Sequence, residues 1–259
     1  MSFPFDYQIT KLLNYQIHNV LAALTTIVTS AAAASYAGYA TMSPASQLYG
    51  RTLTYGTDPG QMALTFDDGP NDPHTLHLLD VLARHRARAT FFLIGKYVRL
   101  RPEIARAIAD AGHLIGNHTY NHPNLIFASA TRLRRELEDC RKGLEDAIGH
   151  PAPLFRPPFG GRRPNVLRTA RAMGLETVMW SVTGFDWNAI SAESIVNKIV
   201  KQVDRRRQGE IVLLHDGSHF AFGADCKYTV QATRTVLEKY SAEGKKFVSV
   251  DQLKRNGSA

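Results

Sequence analysis

The sequence predicts an α/β fold, a closed or nearly closed parallel barrel of seven βα-like units in one domain. Three observations carry that reading. Short apolar segments alternate with amphipathic ones through about two hundred residues after position 60. The chain's 259 residues suit one α/β barrel. Isolated polar residues also recur just after the apolar segments, where the loops of a parallel barrel gather. An open doubly wound sheet would share the alternation, but no GxGxxG or Walker sequence marks the nucleotide site it commonly carries.

Each element has its own signal. "MALTF" (62–66) is a short apolar strand, and "PHTLHLLDVLARH" (73–85) has helical spacing. "ATFFLIG" (89–95) is the next strand, and "PEIARAIADAG" (102–112) a helix that starts at proline and ends at glycine. "HLIGNH" (113–118) precedes the long amphipathic run 129–149. "LFRPP" (154–158), the helix 164–174 and the strand "ETVMWSV" (176–182) follow. The helix 191–207, the strand "EIVLLHDG" (210–217), the helix 228–244 and the strand "KFVSV" (246–250) complete the order. The charges in "RLRRELEDCRKGLED" read as a solvated helix face with i,i+4 ion pairs, and "DRRRQG" as a basic helix end.

Composition bounds the partners. With 44% hydrophobic and 21% charged residues the chain is globular. A net charge of +8 attracts anions, but no zinc-finger spacing, RNA-binding signature or basic-aromatic stripe supports a nucleic-acid partner, and none is expected. Cys140 and Cys226 are distant and read as ordinary thiols. Leu12 to Gly50 lacks any Lys, Arg, Asp or Glu. The domain reading is therefore an N-terminal segment 1–19, an apolar signal or membrane anchor 20–40, a linker 41–59 and the barrel 60–259. The competing reading of 20–40 is an alanine-rich helix lying on the main domain. The anchor places the protein in the cell envelope; oligomeric state has no sequence signal.

The polar residues at the strand ends form one constellation. Asp67 and Asp68 follow "ALTF", His118 and His122 follow "LIGN", and Arg156 follows "LF". Asp186 and Trp187 follow "VMWSV", and His215 follows "IVLL". Adjacent carboxylates repel unless a cation or a proton sits between them. Two histidines four apart, with an aspartate from a neighbouring strand, make a two-His, one-carboxylate set that leaves positions open for water and substrate. Nitrogen and oxygen donors without thiolate suit Zn²⁺, with Co²⁺ or another transition metal as alternatives. One aspartate would bind the metal and its neighbour accept a proton from the activated water.

"TFDDGP", "HTYNHP", "RPPFG", "FDW" and "LLHDG", in this order, resemble the five motifs of the NodB-homology polysaccharide deacetylases, carbohydrate esterase family 4. The resemblance spans residues 60–252. It implies a distorted (β/α) barrel of seven or eight units and metal-dependent hydrolysis of acetyl groups, usually N-acetyl on glucosamine polymers and sometimes O-acetyl on xylan. It also implies roles. Asp67 resembles the catalytic base; Asp68, His118 and His122 the metal ligands; and Arg156 the arginine that holds the base. His215 resembles the general acid and Asp186 the carboxylate that orients it. Trp187 and Leu213 match the walls of the acetyl pocket, and the backbone N–H of Phe159 the oxyanion donor.

Two positions depart from the pattern: Phe159 stands where the family often has tyrosine, and Thr183 where it often has a second aspartate. The expected function is removal of N-acetyl groups from a peptidoglycan- or chitin-type glycan. An O-acetyl esterase and a non-catalytic glycan-binding module are the alternatives. The loop 216–229 is long and aromatic, and the role of its His219 is open.

Overall fold

Alternation along one strand organises the fold. In strand β2 (Gln61–Asp67), Met62, Leu64 and Phe66 pack outward among buried helix residues, while Ala63 joins a separate inner cluster. The same period of two turns Thr65 and Asp67 toward the barrel interior. Both faces are buried, which is why the strand reads as an unbroken apolar run until its final aspartate.

The computed structural model describes residues 5–255. The chain runs α1 (Phe5–Met42), β1 (Tyr55–Gly56), β2, α2 (His74–Arg84), β3 (Ala89–Leu93), α3 (Gly95–Leu100), α4 (Pro102–Asp110) and β4 (Leu114–Asn117). Next come α5 (Ala130–Ile148), β5 (Leu154–Phe155), α6 (Pro164–Ala172), β6 (Glu176–Thr177), β7 (Val182–Thr183) and α7 (Ala192–Val203). Strand β8 (Gly209–His215), α8 (Lys227–Ala242) and β9 (Lys246–Phe247) finish it. The sheet order is β1-β8-β2-β3-β4-β5-β6, with β7 also on β8 and β9 on β2. All pairings are parallel except β1 with β8. The result is the distorted barrel expected.

Helix ends follow local chemistry. The Ser129 hydroxyl accepts from Arg132 N at 3.2 Å to cap α5, and Gly149 ends that helix at φ 76°. Both cysteines are free, Cys140 buried and Cys226 partly so.

The segment 176–182 is not one strand. β6 pairs with β5, and five residues later β7 pairs with β8 on the other side of the seam. Between them Leu53 bridges Val178, while the carbonyls of Val178 and Met179 accept from Arg156. Those bonds take the backbone groups a continuous ladder would have used. "KFVSV" shortens to the two residues of β9, and α3 and β1 were not anticipated. The stretch 41–59 contributes β1 to the sheet and buries Ser46 and Thr54.

Helix α1 does not lie on the barrel. Its 38 residues span about 57 Å at 1.5 Å each, and Leu21, Leu24, Ile27 and Val28 are exposed. None of its most apolar window is buried. Its foot is moored: buried Arg162 donates from its backbone N to Thr41 O at 3.1 Å and from Nη2 to the carbonyls of Ser43 and Ser46 at 2.5 and 2.9 Å.

Candidate active site

Asp67 and His215 end adjacent parallel strands in register, β2 and β8, so they project from one rim of the barrel. Beyond them the chain turns, and the two turns interlock. A Cβ on Gly69 would collide with the Asp216 carboxylate, and one on Gly217 with the Asp68 carbonyl. That close approach explains why glycine follows Asp68 and Asp216. The turns, with the loops after β4, β5 and β7, surround a cleft of about 750 Å³.

Arg156 is the keystone of the floor. Fully buried, it donates from Nη1 to Asp67 Oδ1 at 2.8 Å and to Thr65 Oγ1 at 2.7 Å, and from Nε and Nη2 to the carbonyls of Val178 and Met179. Its guanidinium lies 4.2 Å from the Phe92 ring centroid. Burial lowers its pKa below the ordinary arginine value and the Asp67 charge opposes that, so the pair is held as a hydrogen-bonded ion pair.

The main chain of Arg156 does a second job. Its carbonyl lies 2.7 Å from His118 Nδ1. A carbonyl only accepts, so Nδ1 carries the proton and the other ring nitrogen, Nε2, holds a lone pair when the ring is neutral. That lone pair faces carboxylates: Asp68 Oδ1 at 3.5 Å and Asp67 Oδ2 at 3.7 Å. His122 Nε2 lies 3.2 Å from the same Asp68 Oδ1. Burial, with His118 beside it, lowers the His122 pKa to about 3, so at neutral pH this is no ion pair. Asp68 Oδ1 is buried with no hydrogen-bond partner, as is His122 Nδ1. Lone pairs and a partnerless carboxylate oxygen converging in a buried space fit a divalent cation.

His215 sits in a different environment. Asp186 grips it twice, accepting from the backbone N at 2.6 Å and from ring Nδ1 at 2.8 Å, and Thr229 steadies that carboxylate at 2.8 Å. Burial disfavours the imidazolium, yet Asp186 first, then Asp68 and Asp67, push its pKa up to about 9. At neutral pH it is a proton donor. The Trp187 ring stands edge-on 5.2 Å away and half exposed, while Leu213 is buried beneath.

Every expected site residue lines this cleft except Arg156, which lies under it. Thr183 turns to local work: its hydroxyl accepts from Phe185 N and its carbonyl from Gln202. Phe159 adopts φ 58° and sets its ring edge-on to His122 at 4.7 Å. The site also includes His219, 3.4 Å from Asp68 Oδ2; its sequence signal was a fourth histidine, four residues past His215. His113 stays structural, accepting from Ala89 N, with its pKa lowered to about 4 by burial and then by Arg88.

Comparison with known proteins follows the same lines. Residues 54–178 match the polysaccharide deacetylase family. A peptidoglycan-N-acetylglucosamine deacetylase of Bacillus cereus is 40% identical over 196 residues, 75% of this chain and 88% of that protein. A chitooligosaccharide deacetylase of Rhizobium leguminosarum bv. trifolii is 37% identical over 67% of this chain and 80% of its own length. The crystal structure of the Bc1960 peptidoglycan N-acetylglucosamine deacetylase, in complex with an N-oxidanyl-benzamide, superposes with TM-score 0.73 at 31% identity, covering 78% of this chain and 92% of that one. The chain belongs to the NodB-homology polysaccharide deacetylases of carbohydrate esterase family 4, and it is a hydrolase of that class.

Proposed function

We propose that the protein removes N-acetyl groups from a glucosamine-containing glycan of the peptidoglycan or chitin type, using a divalent metal, most simply Zn²⁺. The observation that carries this is the pairing of a cation-shaped ligand cluster with an arginine-held carboxylate and a carboxylate-held imidazolium around one cleft. The names of the two glycan deacetylases above support the substrate class.

Asp68, His118 and His122 would hold the metal, which when bound supplies an acidified water and polarises the acetyl carbonyl. Asp67, fixed by Arg156, takes the proton from the attacking water. Charge then grows on the former carbonyl oxygen, and the Phe159 backbone N–H is the proposed donor to it. The amine leaves poorly without a proton. His215, kept as imidazolium by Asp186, gives its proton to that nitrogen as the C–N bond breaks, leaving acetate and a free glucosamine. Trp187 and Leu213 would bound the methyl group of the acetyl.

The domain division proposed is the apolar helix 20–40 as signal or anchor, the moored stretch 41–59, and the barrel 60–259. The exposed apolar length of α1 supports attachment to a membrane of the cell envelope. Hydroxyls of Thr25, Thr26 and Thr29 bond back to carbonyls four residues earlier, which suits an apolar solvent.

The test is acetate release by the zinc-loaded chain from N-acetylglucosamine oligomers, peptidoglycan and acetylxylan. Release from the first two and not from xylan is the expected result. Release from acetylxylan alone would replace the amide with an ester, and release from none would remove the proposed substrate class.

A further inference from the structure

The loop after β8 contributes a histidine that none of the five motifs includes. His219 brings Nδ1 to 3.4 Å from Asp68 Oδ2, the carboxylate oxygen turned away from His118 and His122. One ligand atom each from Asp68, His122 and His219 lie within 4.8 Å of one another. Its ring stacks on His122 with centroids 4.4 Å apart and meets the Phe159 edge at 5.2 Å.

This placement is built from a second element. The Tyr97 hydroxyl, on α3, donates to Ser218 O at 3.1 Å and to His219 O at 3.4 Å, while Lys96 Nζ donates to His219 O at 3.4 Å. Tyr97 is itself buried and meets the Phe222 ring at 5.7 Å. The backbone on both sides of His219 is thus latched to α3. The imidazole faces a cluster in which Asp68 Oδ1 and His122 Nδ1 are buried and partnerless. A neutral imidazole nitrogen beside a carboxylate is a donor set for zinc or another borderline metal.

We propose that His219 is a fourth protein contact for the divalent metal, added by the 216–226 loop to Asp68, His118 and His122; this rests on the metal-dependent reading above. Four protein contacts would hold a metal more tightly than three, and the five-coordinate state open to zinc would still leave a position for water; a third imidazole shifts preference toward zinc and cobalt over magnesium.

The experiment measures zinc affinity of the full chain by chelator competition, and the visible absorption of its cobalt form, in four proteins. These are the native chain, His219→Ala, Tyr97→Phe and His118→Ala. His219→Ala should bind zinc about 10–100-fold more weakly and shift the cobalt bands. Tyr97→Phe, which keeps the imidazole and frees its loop, should lose less affinity in the same direction. Circular dichroism of the metal-free proteins should be unchanged; if the alanine variant does not fold, His219→Asn takes its place. Native zinc affinity and an unshifted cobalt spectrum in His219→Ala, with zinc lost in His118→Ala, would overturn this proposal alone. Native zinc binding in both variants would overturn the metal site itself.

Discussion

Two regions of this molecule break the usual partition of residues, in opposite directions. At the rim where β2, β4 and β5 end, the fold buries two adjacent aspartates, two histidines and an arginine. Along α1 it exposes leucines, isoleucines and valines over many turns. Soluble domains rarely do either without a reason. The buried charges are satisfied only in part by the protein: Arg156 answers Asp67, while Asp68 Oδ1 has no partner. Among the described residues, Leu21, Leu24, Ile27 and Val28 stand exposed well away from the helix foot. On the reading proposed above, each region is completed by something outside the chain, a cation in one case and an apolar phase in the other.

That contrast can be broken at either end, and the largest effect is expected at the rim. Asp67→Asn keeps the shape of the base and removes its basicity. Its kcat should fall by about 10²–10⁴-fold with zinc binding retained; an undiminished kcat would place the base elsewhere. Asp186→Asn acts through His215. The pKa of about 9 means the acid form is present below that pH and is lost as pH rises through it. A bound cation offsets the share due to Asp67 and Asp68, so the basic limb of kcat/KM should lie at or somewhat below 9. Without Asp186 it should move toward the ordinary imidazole value near 6.5, costing up to about 30-fold at pH 8. A pH–rate profile that does not move would remove Asp186 from its positioning role.

Smaller effects are expected at the tether. Arg162→Met leaves the carbonyls of Gly160, Ser43 and Ser46 without their buried donor. It should cost about 1.5–3 kcal/mol in thermal or urea unfolding, and little in kcat. Removing residues 1–40 should leave turnover on soluble oligomers unchanged while abolishing partition into lipid vesicles. Vesicle binding that survives the deletion would move the membrane contact to the barrel surface.

Much of the rim was legible beforehand because strand alternation is a local property. Ala63, Thr65 and Asp67 share one face of β2 whatever the rest of the chain does, and Asp67 therefore points inward. The loop geometry was not legible. Asp68, Thr119, His122, Phe159 and Phe185 all hold left-handed backbone, with φ between 50° and 71°. None is glycine, so no residue type announces the strain, and only tertiary contacts hold it. The Arg156 carbonyl on His118 is likewise invisible, since it depends on a backbone atom whose neighbour comes from another strand. Strand 176–182 split because its carbonyls serve Arg156, a long-range demand that local propensity does not record. His219 escaped for a similar reason: its latch lies on α3, over a hundred residues away in sequence.

The proposed chemistry rests on the partnerless Asp68 oxygen and the facing imidazoles forming a cation site on which turnover depends. Zinc stoichiometry and acetate release should be measured together on the metal-stripped chain as zinc is returned. One zinc per chain, with acetate release from N-acetylglucosamine oligomers rising in step, is the predicted result. Full acetate release in the metal-stripped protein, or zinc bound without any gain in rate, would rule out metal-dependent turnover at this site.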